Sequence, residues 1–216
     1  MKSWTLKSFS EQQTNASLMT FDGDGVPWFY CPANHQLKSN AKEINLPNDI
    51  QEVICIEFLV FERAWVIGTR CEIHVYQDEE WVSVGQIDDA MAFVWSPDQS
   101  VLVIVSGAGS GSFKLLLLSA DFQVINESFL DNDVPVEGMV ALGWGKKETQ
   151  FHGSEGKHAA LVKSVGKLSE NDDMKVRVSW RGDAEYFVVS FVNAHKRSLK
   201  VYNRMGGLHS ESEEVF

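Results

Sequence analysis

Several clusters in this chain have residue types that could do chemistry. Gly107-Ala108-Gly109-Ser110-Gly111-Ser112 has the glycine density of a phosphate-cradling loop. It lacks the Gly-Lys-Ser/Thr ending of a P-loop and the glycine spacing of a dinucleotide fingerprint. It also joins two apolar strand-like runs instead of opening a helix, so no helix dipole would face a phosphate, and a hairpin connection is expected. Asp22-Gly23-Asp24-Gly25 begins like a calcium loop but has no glutamate at the twelfth position, which leaves a turn. Of six histidines only His152 and His158 are near neighbours, with no carboxylate or cysteine at ligand spacing, so no metal site is expected. Cys31, Cys55 and Cys71 are odd in number, at spacings of 24 and 16, and fit neither a disulfide framework nor a zinc site. They read as buried free thiols. No Gly-x-Ser-x-Gly elbow or catalytic-cysteine signature occurs, and Arg181-Gly182-Asp183 reads as a tight turn. These residues predict a chain with no catalytic group, no cofactor and no metal.

One polar stretch does not reduce to a turn. Gly143-Trp144-Gly145-Lys146-Lys147-Glu148-Thr149-Gln150-Phe151-His152-Gly153-Ser154-Glu155-Gly156-Lys157 is long and glycine-studded where a short hairpin would suffice. Long loops of this kind carry function disproportionately, and Lys146, Lys147, Gln150, Phe151, His152 and Lys157 are the candidate interaction residues. The competing reading is an extended blade loop that packs back on its own domain through Phe151.

The elements that must position such a loop are strands. Met91-Ala92-Phe93-Val94-Trp95 is followed by Ser96-Pro97-Asp98 and then by Val101 to Val105: an apolar strand ending in tryptophan, a polar turn and a second strand. The proline presets φ and the aspartate caps the turn backbone. Val176 to Trp180, Arg181-Gly182-Asp183 and Ala184 to Ser190 repeat the unit, and Met139 to Gly145 reads as a third copy around Trp144. The three tryptophans lie 49 and 36 residues apart, and the mean suits the roughly 40–45 residues of a four-stranded propeller blade. Trp95, Asp98, Trp144, Trp180 and Asp183 therefore mark the blade cores. Further strands follow at 112–118 and 122–129, and at 186–191 and 198–202 with a connection over 192–197. An earlier blade fits 53–61, 64–69, 72–76 and 81–84, and residues 4–47 supply a less regular unit. Helical periodicity is poor, because apolar runs are short, β-branched and interrupted by Gly, Asp, Asn and Ser. The expected class is all-β: a partial, WD40-like propeller of about four blades over residues 1–205, with 206–216 an acidic tail or a truncated next blade. A β-sandwich with irregular loops is the alternative.

Composition bounds the partners. The net charge is −11, with 44% hydrophobic residues and 13 Phe and 7 Trp, enough for a buried core. Residues 1–144 carry 7 basic and 20 acidic side chains, whereas residues 145–204 carry 12 basic and 7 acidic. An acidic chain is a poor nonspecific nucleic-acid binder, but its basic final third could face an acidic partner. No run reaches the roughly 18 apolar residues of a membrane helix, and the first residues have no signal-peptide core. The sequence predicts a soluble, intracellular protein.

The run from Gly143 to Gly156 resembles the largest subunit of the Elongator complex, the Elongator complex protein 1 family, in which a closely similar Gly-Trp-Gly-basic-Lys-Glu-Thr-Gln-Phe-His-Gly-Ser-Glu-Gly segment occurs. Trp180 to Ser190, Trp95 to Asp98, and Tyr202-Asn203-Arg204 leading to Leu208-His209-Ser210-Glu211 match in family order, covering residues 91–211. The resemblance implies an amino-terminal fragment of a non-catalytic scaffold, whose family has two propellers followed by a dimerising helical-repeat arm that is absent here. It implies partners in a second WD40 subunit and in a radical-SAM/acetyltransferase subunit, with tRNA as a ligand of the full complex. It also implies support of wobble-uridine (U34) modification of tRNA and a cytoplasmic, and also nuclear, location. A stand-alone propeller interaction module or short isoform is the rival reading, and an enzyme the weakest.

Overall fold

The computed structural model describes residues 16–107, 112–130, 168, 170–193 and 196–212. Among these the chain forms sixteen strands in four sheets of four, each an antiparallel meander in sequence order. Blade 1 holds β1 (Leu18–Phe21), β2 (Pro27–Cys31), β3 (Gln36–Lys38) and β4 (Glu43–Asn45). Blade 2 holds β5 (Val53–Leu59), β6 (Ala64–Thr69), β7 (Glu72–Gln77) and β8 (Glu80–Gln86). Blade 3 holds β9 (Ala90–Trp95), β10 (Val101–Gly107), β11 (Phe113–Ser119) and β12 (Val124–Phe129). Blade 4 holds β13 (Arg177–Trp180), β14 (Tyr186–Asn193), β15 (Lys196–Asn203) and β16 (Leu208–Glu211). The first strands of successive blades touch one another, β1 on β5, β5 on β9 and β9 on β13. The four meanders thus converge at their first strands, as propeller blades do.

No single core exists; each pair of neighbouring blades makes its own. Strand alternation explains this, since successive side chains point to opposite faces and a sheet between two neighbours must be apolar on both. In β10, Leu102 and Ile104 pack toward blade 2 with Leu59, Val66, Phe93 and Trp95, whereas Val101, Val103 and Val105 pack toward blade 4 with Phe187, Val189 and Phe191. The third core joins blades 1 and 2 through Trp28, Tyr30, Leu37, Ile56, Trp65 and Ile67. The second strands β6 and β10 are accordingly buried nearly throughout, while β4, β8 and β12 at the outer edge are mostly exposed or half-buried.

Three sequence expectations need correction. Residues 208–211 are no tail: β16 pairs with β15, Lys200 opposite Glu211 and Tyr202 opposite Leu208, and Leu208 is buried. The apolar residue that follows the Gly206-Gly207 turn completes blade 4, so the blade extends past residue 205. Second, the connection expected over 192–197 is mostly strand, because β14 and β15 stay paired out to Asn193 opposite Lys196. Third, Met139 to Gly145 lies outside the described residues, but blade 3 packs directly on blade 4, so no further blade intervenes between them. Trp95 and Trp180, 85 residues apart in the chain, therefore belong to neighbouring blades.

Candidate functional site

Trp95 and Trp180 occupy matching positions. Each ends the first strand of its blade, opposite the first residues of the second strand (Leu102 for Trp95, Phe187 for Trp180), and each turns its ring toward the preceding blade. Trp180 Nε1 donates to the carbonyl oxygen of Val94 in blade 3 at 3.4 Å. Trp95 Nε1 is buried with no hydrogen-bond partner among the described residues. Blade 2 uses Phe58 in this slot, tilted against Trp65 with ring centroids 5.0 Å apart, so that blade carries no tryptophan at the end of its first strand.

The turn after Trp95 stitches blades together. Asp98 accepts from the Ser96 hydroxyl at 2.6 Å and the Ser100 hydroxyl at 2.9 Å. Arg204, in the β15–β16 turn of blade 4, donates to Asp98 at 2.8 Å, to the Ala184 carbonyl at 3.3 Å and also to Ser100. Partial burial pushes the Asp98 carboxyl up, but hydrogen bonds from Ser96, Arg204 and Ser100 outweigh it and hold the group far below the usual carboxylate range. Gln99 reaches the other way, donating to the Phe58 carbonyl at 2.8 Å and to Glu57 at 3.3 Å, while its own oxygen accepts from the Val60 N–H at 2.9 Å. One five-residue turn therefore holds three blades. Asp183 is the blade 4 counterpart of Asp98, and Ala184, at φ 61°, matches Gln99 at φ 56°. Asp183 pairs with Arg181 at 2.6 Å, whose guanidinium lies 4.5 Å over the Tyr186 ring.

The candidate loop residues Lys146, Lys147, Gln150, Phe151, His152 and Lys157, with Trp144, lie outside the described residues. The segments that flank them are anchored to blade 4. Leu130 is fully buried and its carbonyl accepts from Lys200 of β15. Asp172 is held by Arg197, which also donates to Ser190 at 2.8 Å.

This pairing revises the reading of the basic final third. Among the described residues Arg177, Arg181, Arg197 and Arg204 each sit on an aspartate, at Asp173, Asp183, Asp172 and Asp98. The described part of that span is a set of seam and turn ion pairs, so its arginines are not an open cationic patch.

The remaining motifs resolve locally. Asp22 accepts from the N–H groups of Asp24 at 3.0 Å and Val26 at 2.9 Å and from Trp28 Nε1 at 2.9 Å, so the calcium-like tetrapeptide is a turn closed by its own backbone. Gly107 ends β10 and Phe113 begins β11, which makes the glycine-rich segment a strand-to-strand connection. The cysteines are free, but only partly as expected: Cys71 is exposed and Cys31 and Cys55 are half-buried. Burial pushes the Cys55 thiol up to about 12, with the Glu57 charge adding to the effect. No cluster of three or more His, Cys, Asp or Glu among the described residues could hold a metal ion.

Two concave surfaces stand out. One lies on the flank of blade 4 turned away from blade 3, about 450 Å³, lined by Trp180, Tyr186, Val188, Val201 and His209. The other, about 700 Å³, sits between the turns of blades 1 and 2.

With this architecture in view, the comparisons with known proteins decide the family. The model of the ELP1 first N-terminal beta-propeller matches residues 6–216. The chain belongs to that family. Among curated relatives, Elongator complex protein 1 of Drosophila melanogaster is 36% identical over 176 residues, covering 77% of this chain and 14% of the relative. The Mus musculus protein of that name is 39% identical over 140 residues, covering 61% of this chain and 10% of its own length. The Saccharomyces cerevisiae protein is 30% identical over 205 residues, covering 77% and 15%. The chain thus spans about a seventh or less of these relatives. The ELP1 propeller family is one that the insertion motif identified and the blade repeat alone could not, because that repeat is common to propellers of many functions.

Proposed function

We propose that this propeller segment serves as a non-catalytic scaffold in the Elongator complex and supports modification of the wobble uridine of tRNA. The observation that carries the reading is the family match across residues 6–216, together with relatives named Elongator complex protein 1. The physics suits a scaffold: seams built from interdigitated apolar faces and cross-blade hydrogen bonds hold many turns in fixed relative positions, so a partner meets a preorganised surface. In this reading the insertion bearing Lys146, Lys147, Gln150, Phe151, His152 and Lys157 is the docking element, mounted on blade 4 through Leu130–Lys200 and Asp172–Arg197. Its partners are the second WD40 subunit and the radical-SAM/acetyltransferase subunit, in the cytoplasm and also the nucleus, with tRNA held by the complete assembly.

Affinity purification of the full-length protein tests this. Lys147→Glu combined with His152→Ala should lower recovery of partner subunits several-fold without changing the thermal unfolding of the chain. Undiminished recovery would remove the docking role from the loop.

A further inference from the structure

The rim formed by the first-to-second and third-to-fourth strand turns has a chemistry that the scaffold reading does not use. In an antiparallel meander these two turns leave the sheet at the same end, so all such turns share one face of the blade array. The contact between Asp98 and Arg204, turn to turn across a seam, confirms the alignment. On this face the turns of blades 1 and 2 enclose the 700 Å³ groove, within the range of natural ligand sites.

Its lining has two layers. The floor is aromatic: Trp28 and Trp65 are buried and packed 4.8 Å apart, and the half-buried Phe58 and Tyr76 carry most of the accessible ring surface. The wall carries Asp22, Asp24, Glu79 and Glu43, the last paired with Lys38 at 3.4 Å, against Lys42 and Arg63. Glu62, Asp78 and Glu80 extend the acidic excess along the same two blade 2 turns. Among the described residues Asp24, Asp78, Glu79 and Glu80 form no ion pair, in contrast to the arginine-bound aspartates of blade 4. Asp22 is fixed in place by Trp28 and two backbone N–H groups and is kept ionised by them. At the lip Phe61 is 84% exposed and Val60 47% exposed, apolar side chains that the fold itself leaves uncovered.

We propose that this groove binds an extended peptide segment bearing lysine or arginine, contributed by a protein partner. Aromatic faces and carboxylates attract the same cation, the first through the ring quadrupole and the second through charge. A long cationic side chain also lays its methylenes on apolar surface while its head stays at the acidic wall. Phe61 and Val60 then cover the apolar residue beside the cation, as exposed aromatics do at interface centres. A nucleic acid would meet the wrong sign of charge here.

The test is fluorescence anisotropy with the purified 216-residue chain and three labelled probes: a Ser-Lys-Leu-Arg repeat peptide, the same peptide with Glu for Lys and Arg, and a single-stranded RNA. The basic peptide should bind saturably, and the other two should not compete. Asp24→Lys combined with Glu79→Lys should weaken it about tenfold or more, and Phe61→Ser should weaken it severalfold. Asp49→Lys with Asp88→Lys makes the same net-charge change at exposed positions outside the groove and should have a much smaller effect. Equal losses in the two charge-reversal pairs would reduce the effect to net charge and overturn the proposal. So would the absence of saturable binding, equal binding of the acidic peptide, or displacement of the basic peptide by RNA.

Discussion

Replacing Gly68 by alanine places one methyl group in the seam between blades 2 and 3. Gly68 lies in β6 on the face turned to blade 3, and the Phe93 ring of β9 covers it. A Cβ there would sit 2.9 Å from two ring carbons of Phe93 and 3.0 Å from a third. Carbon pairs prefer roughly 3.5–4.0 Å, so the ring must retreat by about half an ångström or more. Phe93 cannot swing out, because it is 8% exposed and its neighbours include Trp95, Leu102 and Ile104. Overpacking of this kind costs about 1–3 kcal/mol. The lower entropy of the unfolded alanine chain returns roughly 0.4–1 kcal/mol. The net expectation is a destabilisation of about 1–2 kcal/mol. In urea denaturation followed by tryptophan fluorescence, that lowers the midpoint by roughly 0.5–1 M at an unchanged slope. Phe93→Leu alone also destabilises, by leaving a cavity. The two together should cost less than their sum, with a coupling of about 1 kcal/mol or more, since the added methyl fills space the ring vacates. A midpoint unmoved by Gly68→Ala, or strict additivity in the double variant, would refute the seam geometry.

Two further outcomes follow from the polar part of the seams. Burial raises the Glu57 carboxyl above its ordinary 4.5, against hydrogen bonds from Gln99 and Thr20. The folded state therefore favours the protonated form, and stability falls as pH rises from that ordinary value through the raised one. Glu57→Gln keeps an acceptor for Gln99 and offers a donor to Thr20, so it should be more stable than the parent at neutral pH and flatten the pH profile in that window; lower stability at neutral pH would count against it. A double-mutant cycle with Arg204→Ala and Asp98→Ala should return about 0.2–1 kcal/mol, because the two side chains are 29% and 45% exposed, and the coupling should shrink in high salt. A coupling that is unchanged by salt would mean that the pair is not the link between blades 3 and 4.

Much of this fold was legible as a one-dimensional pattern. Val101 to Val105, apolar at every position, suits an inner strand covered on both faces, and Lys175 to Val178, alternating, a strand with one wet face; β10 and β13 bear out the first and the wet face of the second. The Ser96-Pro97-Asp98 turn was readable because proline and aspartate act on their own backbone, within hydrogen-bond reach. The Gly143–Gly156 run, too, pointed to the family by its residue order alone. The errors arose where local signals compete with pairing. Trp144 lies outside the described residues, and the contact of β9 with β13 is one that periodicity cannot show. Residues 206–216 read as an acidic tail or a truncated next blade because a four-residue strand carries little signal until β15 supplies its partner.

Strand alternation and turn chemistry act through bonded neighbours, and the amino-acid order by itself therefore determined an all-β meander with tryptophan-ended first strands in two of its blades. Which blade packs on which, the pairing of each basic-span arginine with an aspartate, and the union of four turns into one acidic, aromatic-floored groove were decided only in three dimensions. Asp98 and Arg204 stand 106 residues apart in the chain and 2.8 Å apart in the fold. Such contacts depend on the closing of sheets against sheets, and no local pattern encodes their distances.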